Sequence, residues 1–201
     1  MRPNFTRIAL LGALTLGAAS AQAADNFVGL TWGQTNDNIQ KSSALNANLG
    51  NPKLDKVIDN TSTFGVRAGQ QHDEGRYYLT YENVSDSYSG YKLRQQNLLG
   101  SYDVFVPVGE HGTRAFVGGT LGLIKLEQES RGFKRDSDIG YAAGVQVGLQ
   151  QPLTAALSVE TGYRYLQSNA STEMAAHGGG KLGSLDLNSS RLAYLGVNYA
   201  F

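Results

Sequence analysis

The chain alternates apolar residues with polar or small ones at every second position over much of its length. In the final stretch Ala193, Leu195, Val197, Tyr199 and Phe201 share one parity, and Tyr194, Gly196, Asn198 and Ala200 share the other. Successive side chains of an extended strand point to opposite faces, so this run predicts a strand with one apolar face and one polar or small face. Four further runs carry the same pattern clearly, over residues 98–106, 115–123, 140–149 and 157–165. Three earlier runs carry it more faintly: Val28, Leu30 and Trp32; Phe64, Val66 and Ala68; Tyr77, Leu79 and Tyr81. The total is eight, an even number, as single-chain bacterial barrels require.

The segments between these runs alternate in length. Three are tight and punctuated by Gly or Pro, at residues 71–75, 107–112 and 151–154. The other four, at 36–60, 85–90, 128–136 and 168–188, are mostly longer and rich in Asn, Ser, Gly and charge. Short periplasmic turns facing longer external loops are the asymmetry of outer-membrane barrels, and eight up-and-down strands return both termini to the periplasmic side. After Ala23 no stretch approaches 18 consecutive apolar residues, so a helical span is excluded. The fold class expected is all-β, an eight-stranded antiparallel up-and-down transmembrane β-barrel. A soluble calycin-like barrel would also alternate, but with its apolar face turned inward.

The first residues fit that destination. Arg2 and Arg7 precede an apolar run from Ile8 to Ala19, and Ala21 and Ala23 supply the A-x-A cleavage pattern. Residues 1–23 are therefore expected to be a signal peptide, and residues 24–201 one outer-membrane barrel domain. The apolar run is too short for a retained anchor, which needs roughly 20 residues.

Composition narrows the picture further. Charged residues make up 17% and glycines number 25, an unusual balance for a soluble α/β enzyme. Two of the 17 basic residues leave with the signal peptide while all 17 acidic residues stay. No basic run offers a phosphate-binding patch, and nucleic acid is not an expected partner. Cysteine is absent, which excludes disulfides and thiolate metal sites.

The chain from Ala24 onward resembles the eight-stranded outer-membrane β-barrel superfamily that includes the OmpA transmembrane domain, OmpX-like proteins and opacity-type proteins. The specific point of likeness is the last strand ending Tyr199-Ala200-Phe201. A terminal aromatic after alternating apolar residues resembles the signal read by the barrel assembly machinery, so Phe201 is expected to be an assembly signal.

Eight strands enclose an interior that side chains can just fill. By parity Arg67, Glu82, Asp103, Glu160 and Arg164 point inward, and unpaired charges there would be costly. They are expected to form an interior ion-pair network rather than a transport path. Trp32, Tyr77, Tyr141, Tyr163, Tyr165 and Tyr199 fall toward the ends of lipid-facing strands, where an apolar ring with a polar tip suits the bilayer interface.

No catalytic, cofactor or metal site emerges. His72 and His111 sit in the predicted periplasmic turns, and His177 precedes Gly178-Gly179-Gly180 in a loop. None lies on a strand at the membrane boundary, where a lipid-modifying enzyme needs a His-Ser pair. The function expected is a non-enzymatic bacterial outer-membrane protein serving envelope integrity or surface interaction such as adhesion. Its expected partners are outer-membrane lipid and lipopolysaccharide, the assembly machinery, and a surface or host partner. A narrow pore, a lateral route for small molecules or, more remotely, a lipid-modifying enzyme are the alternatives.

Overall fold

The computed structural model describes residues 25–50, 57–88, 90–109, 112–130 and 132–201; the signal peptide expected at residues 1–23 and the histidine at 111 lie outside them. Among the described residues nine strands and one helix follow in order: β1 (Asp25–Lys41), α1 (Ser43–Leu49), β2 (Thr61–His72), β3 (Gly75–Tyr88), β4 (Tyr91–Pro107), β5 (Arg114–Gln128), β6 (Asp136–Pro152), β7 (Leu157–Ser168), β8 (Ser171–Ala175) and β9 (Lys181–Ala200). Each strand from β1 to β6 pairs antiparallel with the next, and β9 pairs with both β7 and β1. The ring is thereby closed, with no free edge along its wall.

β8 is the continuation of β7. Gln167 lies opposite Ser189 of β9, and Ser171 lies opposite Asp186, so both segments pair with β9 across a jog at Asn169 and Ala170. The jog keeps its backbone bonded: Leu187 N donates to Ala170 O at 2.8 Å, and Tyr141 N donates to Asn169 Oδ1 at 2.7 Å. Gly140 fits here because a Cβ would stand 2.4 Å from Ala170 N. The wall is thus eight strands around, as the periodicity predicts.

The loops are more ordered than the expectation. The span 85–90 is not a loop, since β3 runs to Tyr88 and β4 starts at Tyr91. Most of 168–188 is a hairpin of β8 with β9. The span 36–60 contains the end of β1 and then α1, capped at both ends: Ser42 Oγ accepts from Leu45 N at 3.2 Å, and Gly50 ends the helix with φ 63. Ser42 Oγ also accepts from Ser184 N at 3.0 Å, which fastens the helix to β9. Polar composition suggested irregular loops because Ser, Asn and Gly cap and turn as readily as they disorder.

The outward face is apolar and uncovered. Leu30, Phe64, Leu121, Val145, Leu195 and Val197 are among its exposed residues, Leu121 at 69%. Strands of 12 or more residues exceed the 9–11 that a tilted strand needs to cross hydrocarbon. A calycin arrangement is therefore excluded.

The inside departs from the polar-and-small expectation in its loop-end half. Leu93, Leu99, Ile124, Leu126, Leu185 and Ile58 are buried there with Leu45 of α1. Gly183 leaves room for Leu45, whose Cβ would otherwise be 2.5 Å from an added methyl. Water cannot hydrate this zone, and packed aliphatic side chains close the lumen. Most of the interior charges lie in the opposite half, while Glu82, opposite Asn97, reaches the loop side of Leu99.

Candidate functional site

The turn-end half of the interior is organised around Arg76, a fully buried residue on the inward parity of β3. Its Nε donates to Asp103 Oδ2 at 2.8 Å and its Nη1 to Glu160 Oε2 at 2.5 Å. The guanidinium also stands 4.7 Å from the Phe116 ring centre, 5.0 Å from Tyr78 and 5.5 Å from Phe105. A planar cation suits both demands, donating in its plane and presenting its faces to rings.

The remaining groups complete the cluster. Arg67 Nη1 lies 2.7 Å from Glu160 Oε1. Asn198 joins the same pair, accepting from Arg67 Nε at 2.9 Å and donating to Glu160 Oε2 at 3.0 Å. Asp103 accepts from Tyr78 OH at 3.0 Å and from Gln146 Nε2 at 2.5 Å. Higher in the barrel Arg164 pairs with Glu82, which also accepts from Asn97 Nδ2 at 3.3 Å. Three arginines thus face three carboxylates, all with side chains no more than 5% exposed.

All five ionisable residues expected inside are placed there, but in two groups: Arg164 with Glu82, and Arg67 with Glu160, to which Arg76 adds Asp103. Arg76 itself was missed because it abuts a turn, outside the faint run at 77–81. Its parity with Tyr78, Thr80 and Glu82 was the available signal. Glycines on the facing strands make the room: a Cβ on Gly118 would lie 2.0 Å from Asp103 Oδ1, and one on Gly196 would lie 2.8 Å from Arg67 Nη2.

On the outside, Trp32, Tyr77, Tyr141, Tyr163 and Tyr199 are all exposed. Tyr165 is partly covered, with the Arg191 guanidinium 6.0 Å from its ring centre. Tyr77 OH donates to Gln70. Phe201 is exposed, and its backbone N donates to Asn26 O of β1 at 2.8 Å.

The outer wall also carries a cluster of cations that no basic run in the sequence announces. Lys92 and Arg94 on β4, Lys125 on β5 and Arg135 in the β5–β6 connection gather at the loop end, above the apolar belt. Glu127 meets Arg135 at 2.7 Å, Lys125 at 3.7 Å and Arg94 at 3.8 Å, while Glu129 meets Lys92 at 3.2 Å. The bonded Lys92 ammonium holds the Glu129 carboxyl below its ordinary value, and Glu127 raises Arg135. Among the described residues four cations thus share two carboxylates in these ion pairs.

No basic run marks this rim, because strand pairing assembles it: Arg94 lies opposite Glu127, and Gln96 opposite Lys125. Lys92 and Arg135 also line a groove of about 490 Å³ with Phe133 and His177. Among the described residues no set of His, Asp and Glu is grouped to hold a metal ion.

The chain is 68% identical to the solution structure of outer membrane protein H (OprH) from P. aeruginosa in DHPC micelles, which covers 89% of this chain and 100% of that one with a TM-score of 0.57. Two more distant likenesses show the fold alone. The crystal structure of Neisserial surface protein A is 13% identical over 90% of this chain and 100% of that one, TM-score 0.62. Ail, the attachment invasion locus protein of Yersinia pestis, in complex with the heparin analogue sucrose octasulfate, is 12% identical over 89% and 99%, TM-score 0.52. No protein-family model and no curated protein matches the sequence.

Proposed function

The chain belongs to the outer membrane protein H family of integral outer-membrane β-barrels, and from the position of its basic rim we propose that it binds the phosphate groups of lipopolysaccharide and so strengthens the envelope non-enzymatically. One observation carries this reading: Lys92, Arg94, Lys125 and Arg135 cluster just beyond the lipid-facing belt, where among the described residues they form ion pairs with Glu127 and Glu129. With the loop end turned to the cell exterior, that height is where the phosphates of the outer leaflet lie. Arginine takes a phosphate through two parallel N–H donors and lysine as a point charge.

Bridging neighbouring lipids to a rigid wall restrains them laterally, which is a structural task and needs no turnover. The precursor reaches its site through a signal peptide cut after Ala23, and Phe201 marks the last strand for the assembly machinery.

The test is binding of purified lipopolysaccharide to the protein in nanodiscs. The double variant R94A/K125A should bind about tenfold or more weakly, the scale of one or two lost charge-assisted contacts, and the parent's affinity should fall with added salt. Unchanged affinity in the double variant would overturn the reading.

A further inference from the structure

Below the rim, the wall between β5 and β7 carries a groove of about 600 Å³. Its floor is the backbone of Gly122, Ala142 and Ala143, and its sides are Leu121, Leu123, Tyr141 and Gln167. Register explains the gap. Ala143 sits between Leu121 on one side and Gln167 on the other, so a methyl occupies the outward position between two long side chains. The jog at Asn169 and Ala170 bounds its loop-end corner, with Asn169 Oδ1 bonded to Tyr141 N.

The groove is continuous with the rim. On β5 the outward residues run Leu121, Leu123, Lys125, and consecutive outward positions on a strand are about 6.7 Å apart. Lys125 therefore lies one outward position beyond the lining residue Leu123, and Gln167 sets an exposed amide beside Ala143. A hydrocarbon chain fits the trough, an amide or ester linkage fits Gln167, and a phosphate fits Lys125 with Arg94. The wall thus sets a trough, with an amide in register with Ala143, below a pair of cations, as one amphiphile with an apolar chain and a phosphate requires.

We propose that this groove seats one acyl chain of the lipopolysaccharide whose phosphate meets the basic rim, so that the protein holds that glycolipid by its chain as well as its charge. This rests on the reading of the rim given above. The seat has a defined wall position, β5 to β7, while the rest of the belt meets lipid without preference. Filling the groove should therefore weaken binding without touching a charge.

The experiment uses the protein in nanodiscs of zwitterionic phospholipid, with two probes: purified lipopolysaccharide and its deacylated, still phosphorylated oligosaccharide. Ala143→Phe and Ala143→Leu place their side chains toward lipid rather than into the core; heat-modified gel migration verifies folding, and Ala143→Leu stands in if the larger ring fails it. Either variant should bind lipopolysaccharide about fivefold more weakly, the scale of lost packing contacts for a chain that stays in hydrocarbon either way, and bind the oligosaccharide as the parent does.

Parent-like affinity of both variants for lipopolysaccharide would overturn the groove and leave the rim intact. Parent-like affinity of R94A/K125A for the oligosaccharide would instead overturn the rim. A nitroxide on an acyl chain of the lipopolysaccharide should broaden the amides of Ala143 and Gln167 more than those of Leu30 and Val66. Equal broadening at the four, or the same selective broadening from a nitroxide-labelled acidic phospholipid, would overturn the assignment.

Discussion

Replacing Glu160 with alanine is the sharpest perturbation of the interior. Glu160 meets Arg67 at 2.7 Å and Arg76 at 2.5 Å, and Asn198 donates to it at 3.0 Å. Its side chain and both guanidiniums are almost wholly shielded, at 0–2% exposure, so solvent screening offers little relief. Without it Arg67 keeps Asn198 and the Tyr78 ring, Arg76 keeps Asp103 and its rings, and one positive charge is left without a carboxylate. Removing one member of such a pair costs about 3–5 kcal/mol.

Urea unfolding of the barrel in lipid vesicles, followed by heat-modified gel migration, reads this directly. The order of stability should be parent, then Glu160→Gln, then Glu160→Ala, because the amide keeps one acceptor oxygen and the side-chain volume but loses the charge. The double variant R67M/E160M restores charge balance and should recover part of the loss, with a coupling of about 0.5–3 kcal/mol. An unfolding midpoint for Glu160→Ala equal to that of the parent would refute the argument that the buried cluster holds the barrel together.

The same interior fixes two further outcomes. Gly118→Ala should lower the folded fraction sharply, since the new methyl would meet Asp103 Oδ1 at 2.0 Å and the Tyr102 carbonyl at 2.2 Å; gel migration after refolding checks this. Planar bilayers containing the parent protein should show no steady conductance, because the apolar stopper around Leu99 and Ile124 and the Arg76 cluster lie in series along the lumen. A persistent single-channel step would favour a pore.

The strands were legible because each obeys one physical rule, one face to lipid and one inward, and Tyr141, Val145 and Leu195 follow it directly. The interior charges followed by parity. What could not be read depends on breaks in that rule or on contacts across the sheet. β9 buries both Ser189 and Ser190 where its register with β1 shifts at Asn38 and Ile39, so counting back from Phe201 places Leu185 and Leu187 on the wrong face. The basic rim joins Arg94 to Lys125 through pairing of two strands, and no local window contains both with Arg135. The groove exists because of a small residue, Ala143, and in sequence a small outward residue is indistinguishable from any other wall position.

The closing seam between β1 and β9 has a kinetic consequence. Every other pair in the ring from β1 to β7 joins sequence neighbours, but Phe27 must find Ala200 and Trp32 must find Leu195 across almost the whole chain. Contacts of such separation carry the largest loop-closure entropy and form late. Until then β1 and β9 are open edges, able to pair with another chain, and Arg67 on β2 waits for Asn198 on β9. The seam therefore separates a vulnerable sheet from a finished barrel, and the time spent before it closes sets how much of the protein needs escort.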